Sequence, residues 1–172
     1  SEKIPLEYKQ LVAANIINKE KNILGKISYN DNNYHSSKII KLYTEQNISS
    51  KKTQKNLERI HKKIKKNKSY KISLKDAALF ESLENDNFTL PKGLNYQEIA
   101  RNNPPPMELL NLVKNKEIGL FLLRIVEIIG EDEILDLDDQ TIYFINHLFV
   151  KSNLIKLRNK ILFTTLPERN EI

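Results

Sequence analysis

The chain has 172 residues, 40% of them hydrophobic and 29% charged, with a formal net charge of +6, and a chain of this length buries about 70% of its unfolded surface without covalent staples. It has no Cys, which excludes disulfides, iron–sulfur ligation and thiol nucleophiles, and with Gly only at 25, 93, 119 and 130 no phosphate-cradling loop or G-x-S-x-G elbow can be written. The longest apolar run, Ile118 to Ile129, carries Arg124 and Glu127 and is too short to cross a bilayer.

The opening SEKIPLEYKQ has no initiator Met, basic n-region or cleavage site, so either a leader has been removed or the sequence belongs to a longer protein. A soluble chain is expected, either cytoplasmic or exported to the periplasm after leader removal. Pro5 suits a first helical turn, and Leu6, Leu11, Val12, Ile16 and Ile17 continue a stripe to about Asn18. Ile23, Leu24 and Ile27 either extend that helix or form a second short one, with Gly25 against it. The polar run Asn30 to Asn33 is a turn, and Ile39, Ile40, Leu42 and Tyr43 mark a helix ending near Gln46 or Asn47.

Ser49 or Ser50 opens KKTQKNLERIHKKIKKNK. At 3.6 residues per turn Leu57, Ile60 and Ile64 form a narrow apolar stripe, so the helix is expected to dock lightly. Lys51, Lys52, Lys55, Arg59, Lys62, Lys63 and Lys66 gather within about a third of the circumference on another side. Ser73 with Asp76 reads as a capping box before Leu74, Ala77, Ala78, Leu79, Phe80 and Leu83. Asn85 to Gly93 is a connection. Asn95 is placed to cap a short helix through Ile99, which ends at Asn102, Asn103 and the stiff triplet Pro104, Pro105 and Pro106. Met107 to Val113 is a short helix. Period-two alternation is confined to Tyr70, Ile72 and Leu74, the one brief strand candidate.

The segment 118–166 is the hydrophobic centre of the chain. Between Lys116 and Ile129 polar residues occupy one sector, and so wide an apolar surface predicts burial from two sides, with Gly119 and Val126 letting a neighbouring helix come close. Gly130 supplies the left-handed residue of a helix end. Asp138 caps a helix carrying Ile142, Phe144, Ile145, Leu148 and Phe149. Asn153 caps another with Leu154, Leu157, Ile161, Leu162 and Thr165, stopped by Pro167, and the short link makes the two antiparallel neighbours. The order Gly119, a leucine-rich helix, Gly130, an acidic turn ending in Asp136 and Asp138, a helix to Leu148, then Leu154, Leu157, Arg158 and Leu162 resembles the closing segment of uncharacterised alphaproteobacterial helical-repeat proteins. That resemblance covers the last third of the chain and implies an alpha-solenoid of tetratricopeptide-like hairpins, often exported, with no catalytic residue to carry over. Asn159, Lys160 and Phe163 stand where those proteins use alanines.

The expectation is an all-α chain of seven to ten helices in successive antiparallel hairpins, either an irregular alpha-solenoid or a closed helical bundle. Residues 1–172 are read as one helical domain or a piece of a longer array, softly divided into a basic part, 1–72, with 17 Lys/Arg against 6 Asp/Glu, and an acidic part, 73–172, with 11 against 16. The ratio of 23 Lys to 5 Arg is what an AT-rich genome produces, yet a bias acting on the whole chain does not make its parts differ in sign.

Chemistry has few footholds. Glu127, Glu131, Asp132, Glu133, Asp136, Asp138 and Asp139 form an acidic turn that lacks the central Gly and final bidentate Glu of a calcium loop. Its D-x-D-D string lacks the preceding strand or aromatic cavity that phosphatase or cyclase chemistry needs. His35, His61 and His147 are far apart without metal-ligand spacing and read as surface residues, the last beside Gln140 and Lys151. No cofactor or metal is implied. The expected function is a non-enzymatic helical module that holds another protein or the remainder of its own chain. The alternatives are sequence-nonspecific binding of nucleic acid or another polyanion through the basic face, and a metal-assisted hydrolase at the acidic turn.

Overall fold

The structure, a computed structural model, describes residues 25–130 and 133–170; the helix expected from Pro5 to Asn18 lies outside them. Strand β1 (Lys26–Ser28) leads through the 30–36 turn and a 3₁₀ turn (Lys38–Ile40) into α1 (Lys41–Thr44) and α2 (Ser50–Ile64). There follow α3 (Leu74–Asn85), α4 (Tyr96–Asn102), α5 (Met107–Lys114), α6 (Ile118–Ile129), a second 3₁₀ turn (Ile134–Asp136), α7 (Asp139–Lys151), α8 (Ile155–Thr165) and β2 (Glu168–Asn170). The fold is mostly helical, and its two strands form one antiparallel pair with Ile27 opposite Arg169.

Local chemistry explains the helix starts. Ser49 Oγ accepts from the Lys52 N–H, Asp138 from those of Gln140 and Thr141, and Ser73 with Asp76 closes a reciprocal capping box. Asn95 sits at the start of α4 without a side-chain cap bond. Three helices end alike: Asn87, Lys116 and Asn153 take φ of 64°, 62° and 56°. The next N–H in each case, on Phe88, Glu117 and Leu154, donates to Leu83, Leu112 and Phe149, the 6→1 bond of a Schellman stop. Asn153 thus terminates α7 rather than capping α8. Gly130 has φ 57° with ψ −133°, a conformation open to glycine alone.

Two apolar clusters meet at α7 and α8. One gathers Tyr34, Ile39, Ile40, Leu57, Ile60, Ile64, the inner residues of α3, Tyr143 and Leu162. The other holds Leu109, Phe121, Leu122, Ile125, Ile142, Ile145, Phe149 and Ile161. The stripe of α2 is sealed, with Leu57 and Ile60 at 0% exposure, so that helix is seated firmly rather than lightly. The most extensive contact between helices joins α3 to α7, while α8 returns to α1 and β2 to β1. In a stacked array each unit touches only its neighbours, whereas these pairings join parts distant in sequence.

Three local expectations fail for stated reasons. Ile27 is in a strand, not a helix, and Gly25 before it is where a Cβ would stand 2.3 Å from the Asn170 carbonyl oxygen, so the backbones meet only because no side chain intervenes. Tyr70 to Ser73 is irregular; it delivers the Tyr70 hydroxyl to Asp76 instead of pairing as a strand. The described residues cover helix α6 on one side only: Phe121, Leu122, Ile125 and Ile129 are buried, while Leu120 and Ile128 are 45% and 41% exposed. A Cβ on Gly119 would meet nothing within 4 Å, so no neighbouring helix among the described residues uses it.

Candidate functional site

The seven cations read from the sequence lie on one side of α2, and all are exposed. Lys51 to Lys63 are on the helix; Lys66 lies in the turn beyond Ile64, its N–H donating to the Lys63 carbonyl. Arg59 Nη2 donates to Asp31 at 3.0 Å, and Lys38 reaches the same carboxylate at 3.9 Å. Burial raises the Asp31 carboxyl, but bonds from the Lys38 N–H and Arg59 outweigh it and bring it below the usual range. Among the described residues no carboxylate comes within ion-pair distance of Lys51, Lys52, Lys55, Lys62, Lys63 or Lys66.

Stability alone would not choose this arrangement. Lys51 and Lys52 stand in a first turn with no acidic residue, at the positive end of the helix dipole, at a cost of about 0.3–1 kcal/mol each. Like-charged pairs four apart, Lys51 with Lys55 and Lys55 with Arg59, each cost about 0.2–0.5 kcal/mol. Beside the face, a cleft of about 170 Å³ is lined by Gln54, Glu58, His61, Lys62, Thr89, Leu90 and Pro91. Gln54 closes its floor by donating to the Thr89 carbonyl and accepting from the Thr89 N–H.

Under α2 lies a polar network that the spacing of the histidines did not disclose. Asp76, at 0% exposure, accepts from the His35 N–H at 3.0 Å, the Tyr70 hydroxyl at 2.7 Å and the Ser73 N–H at 3.1 Å, and its Oδ1 lies 2.7 Å from His35 Nδ1. Burial pushes the Asp76 carboxyl up, and these bonds, His35's first, carry it below its ordinary value. The Tyr34 hydroxyl lies 2.9 Å from His61 Nδ1, and burial with the Asp76 charge pushes that phenol up to about 12. His61 is lowered by burial and by Lys65. His147, expected at the surface, is half-buried with Nδ1 2.6 Å from Glu81 Oε1. An imidazole oriented by a carboxylate suits acid–base chemistry. Next to His35, the Ser36 hydroxyl is held by Asn33 and Glu168.

Three carboxylates of the acidic turn hold structural partners. Asp138 caps α7 and is lowered first by its bonds from Thr141; Asp139 meets Lys75 at 3.3 Å, and Glu127 meets Arg124 at 2.7 Å. Among the described residues no three His, Asp or Glu side chains lie together as a metal-holding group. The remaining surface feature is apolar: Met107, Leu120, Ile128 and Leu135 are exposed on α5, α6 and the following turn. Around them stand Glu108 and Glu127, both more than 60% exposed and both paired to Arg124. Among the described residues no helix is long and apolar enough to cross a membrane. Comparison of the chain with protein-family models, curated proteins and solved structures finds no match.

Proposed function

We propose that the chain is a non-enzymatic interaction module that receives an amphipathic helix of another protein on the outer side of α6. The observation that carries this reading is that the chain's most apolar helix keeps Leu120 and Ile128 in solvent, one on each side of the exposed Arg124, with Leu123 and Val126 half-buried. Exposed apolar residues grouped on one element mark interaction surfaces more often than isolated ones do. Gly119, about a quarter-turn round the helix from Leu120, has nothing within 4 Å of a would-be Cβ among the described residues and leaves room for a close backbone approach. Glu108 and Glu127 share Arg124, and Glu117 has no cation within ion-pair distance among the described residues, so the three carboxylates exceed the one cation they hold and favour a partner helix with basic flanks.

A fluorescein-labelled helical peptide built of Leu and Lys at amphipathic spacing serves as the probe. Titrated against the protein, it is expected to bind with micromolar affinity, and the double substitution Leu120→Asp, Ile128→Asp to weaken it at least tenfold while the melting temperature holds. Equal affinity for both proteins sinks the reading. Self-association seen by sedimentation, abolished by the same pair, would make the occupant a second copy and overturn the choice of a foreign helix.

A further inference from the structure

We infer that the basic side of α2 binds the phosphate backbone of double-stranded nucleic acid without reading its sequence. The argument begins from placement. Helix α2 is 15 residues long, about 22 Å at 1.5 Å per residue, and its inner stripe of Thr53, Leu57, Ile60 and Ile64 is buried. The opposite side is thereby held as a straight, rigid row of cations. Six of the seven have no carboxylate within ion-pair distance among the described residues, so no internal partner has to be displaced before they meet an anion. Glu58, the one acidic residue on the helix, turns to the cleft beside Gln54 and His61.

The chemistry of the row selects among polyanions. Lysines neutralise phosphate as point charges, whereas base-edge recognition uses the planar fork of arginine, and the single Arg59 is already engaged by Asp31. Single strands are gripped by stacking on exposed aromatic rings, but Tyr34 is buried and Tyr70 half-buried under the helix. Insertion into a lipid surface needs apolar side chains beside the cations, and those of α2 are consumed by the core. What remains is contact with the regularly spaced charges of a duplex backbone. Its affinity falls with salt in proportion to the phosphates neutralised.

The test is a fluorescence anisotropy titration of the full chain with a labelled 20-base-pair duplex at two salt concentrations. Micromolar binding at 50 mM salt is expected, weakened roughly a thousandfold at 200 mM if five or six phosphates are contacted. The triple reversal Lys51→Glu, Lys55→Glu, Lys62→Glu removes exposed groups only; it should abolish binding with the melting temperature intact. The Lys→Arg version of the same triple should keep it, and Leu120→Asp with Ile128→Asp should leave it unchanged, which separates this inference from the role assigned to α6. Absence of binding at 50 mM salt overturns the proposal, as does a triple reversal that stays within twofold. So do capture of the protein by vesicles containing 30% phosphatidylserine but not by the duplex, and preference for single-stranded over duplex probes.

Discussion

Helices α3 and α6 are each twelve residues long, and the less apolar of the two is the more deeply buried. Helix α3, LKDAALFESLEN, and its C-cap Asp86 carry five polar or acidic side chains that each find a partner on a different part of the fold: Asp76 with His35 and Tyr70, Glu81 with His147, Ser82 with Asn146, Glu84 with Tyr96, and Asp86 with Tyr43 and Arg158. Helix α6, IGLFLLRIVEII, has one polar patch, Arg124 with Glu127 and Glu108, and leaves apolar side chains in water. Burial is therefore decided by whether neighbours can satisfy a helix from all sides, not by its share of leucine. A buried polar group without a partner costs about 1–3 kcal/mol, so α3 can be enclosed because most of its buried polar groups are met, with Glu81 Oε2 left without a hydrogen-bond partner. Among the described residues none closes over the outer side of the helix with most grease, where Leu120 and Ile128 stay exposed.

The sharpest way to break that contrast is to truncate equivalent bulk on each helix. Phe80→Ala, fully buried and 4.9 Å from the Tyr34 ring centre, is expected to cost about 3–5 kcal/mol. Leu120→Ala or Ile128→Ala should stay within about 0.5 kcal/mol; guanidinium unfolding midpoints measure all three. Comparable losses at both sites would mean that α6 is covered after all.

Removing the polar hub comes next. Asp76→Ala strands His35, Tyr70 and the Ser73 N–H, a loss of about 3 kcal/mol and roughly 6–12 °C in Tm. Because Asp76 is held below its ordinary 3.8, its contribution is present above that unfolded value and fades as pH falls through the lower folded one. Asp76→Asn should remove this part of the acid limb in thermal melts at pH 2 to 5. His61 acts in the opposite charge sense with the same slope: its folded value lies below 6.5, so protonation on acidification favours the unfolded chain, and that loss sets in as pH drops below 6.5.

What could be read from the sequence is what local chemistry determines. The stripe Leu57, Ile60 and Ile64, the Ser73–Asp76 box, the Asp138 cap and the short link between α7 and α8 all depend on residues a few positions apart, and the structure has them. The β1–β2 pair was hidden because three-residue strands are too short to alternate visibly and their partners lie at opposite ends of the chain. Asp76 was legible as a cap, but its second role depends on His35, which the fold brings 2.7 Å away. The basic face was legible as a pattern, whereas its freedom from internal carboxylates, and the diversion of Arg59 to Asp31, needed three dimensions. The three Schellman stops were missed because Asn and Lys, not Gly, hold the left-handed position.

That last misplacement yields the smallest and most discriminating test. Lys116 takes φ 62° without the local side-chain bonding that eases Asn into this region, so Lys116→Gly should stabilise by about 0.5–1 kcal/mol despite the added freedom of the unfolded chain. Three residues on, Gly119 occupies an ordinary helical position with nothing within 4 Å of a would-be Cβ. Gly119→Ala should therefore stabilise by a similar amount through helix propensity alone. The two changes part company on the peptide probe. A methyl group at 119 holds off an incoming helix backbone, so Gly119→Ala should weaken peptide binding while raising the melting temperature, whereas Lys116→Gly should raise stability and leave binding alone. If Gly119→Ala gains stability with no loss of affinity, glycine at that position is an accident of sequence and the outer side of α6 receives no closely packed helix.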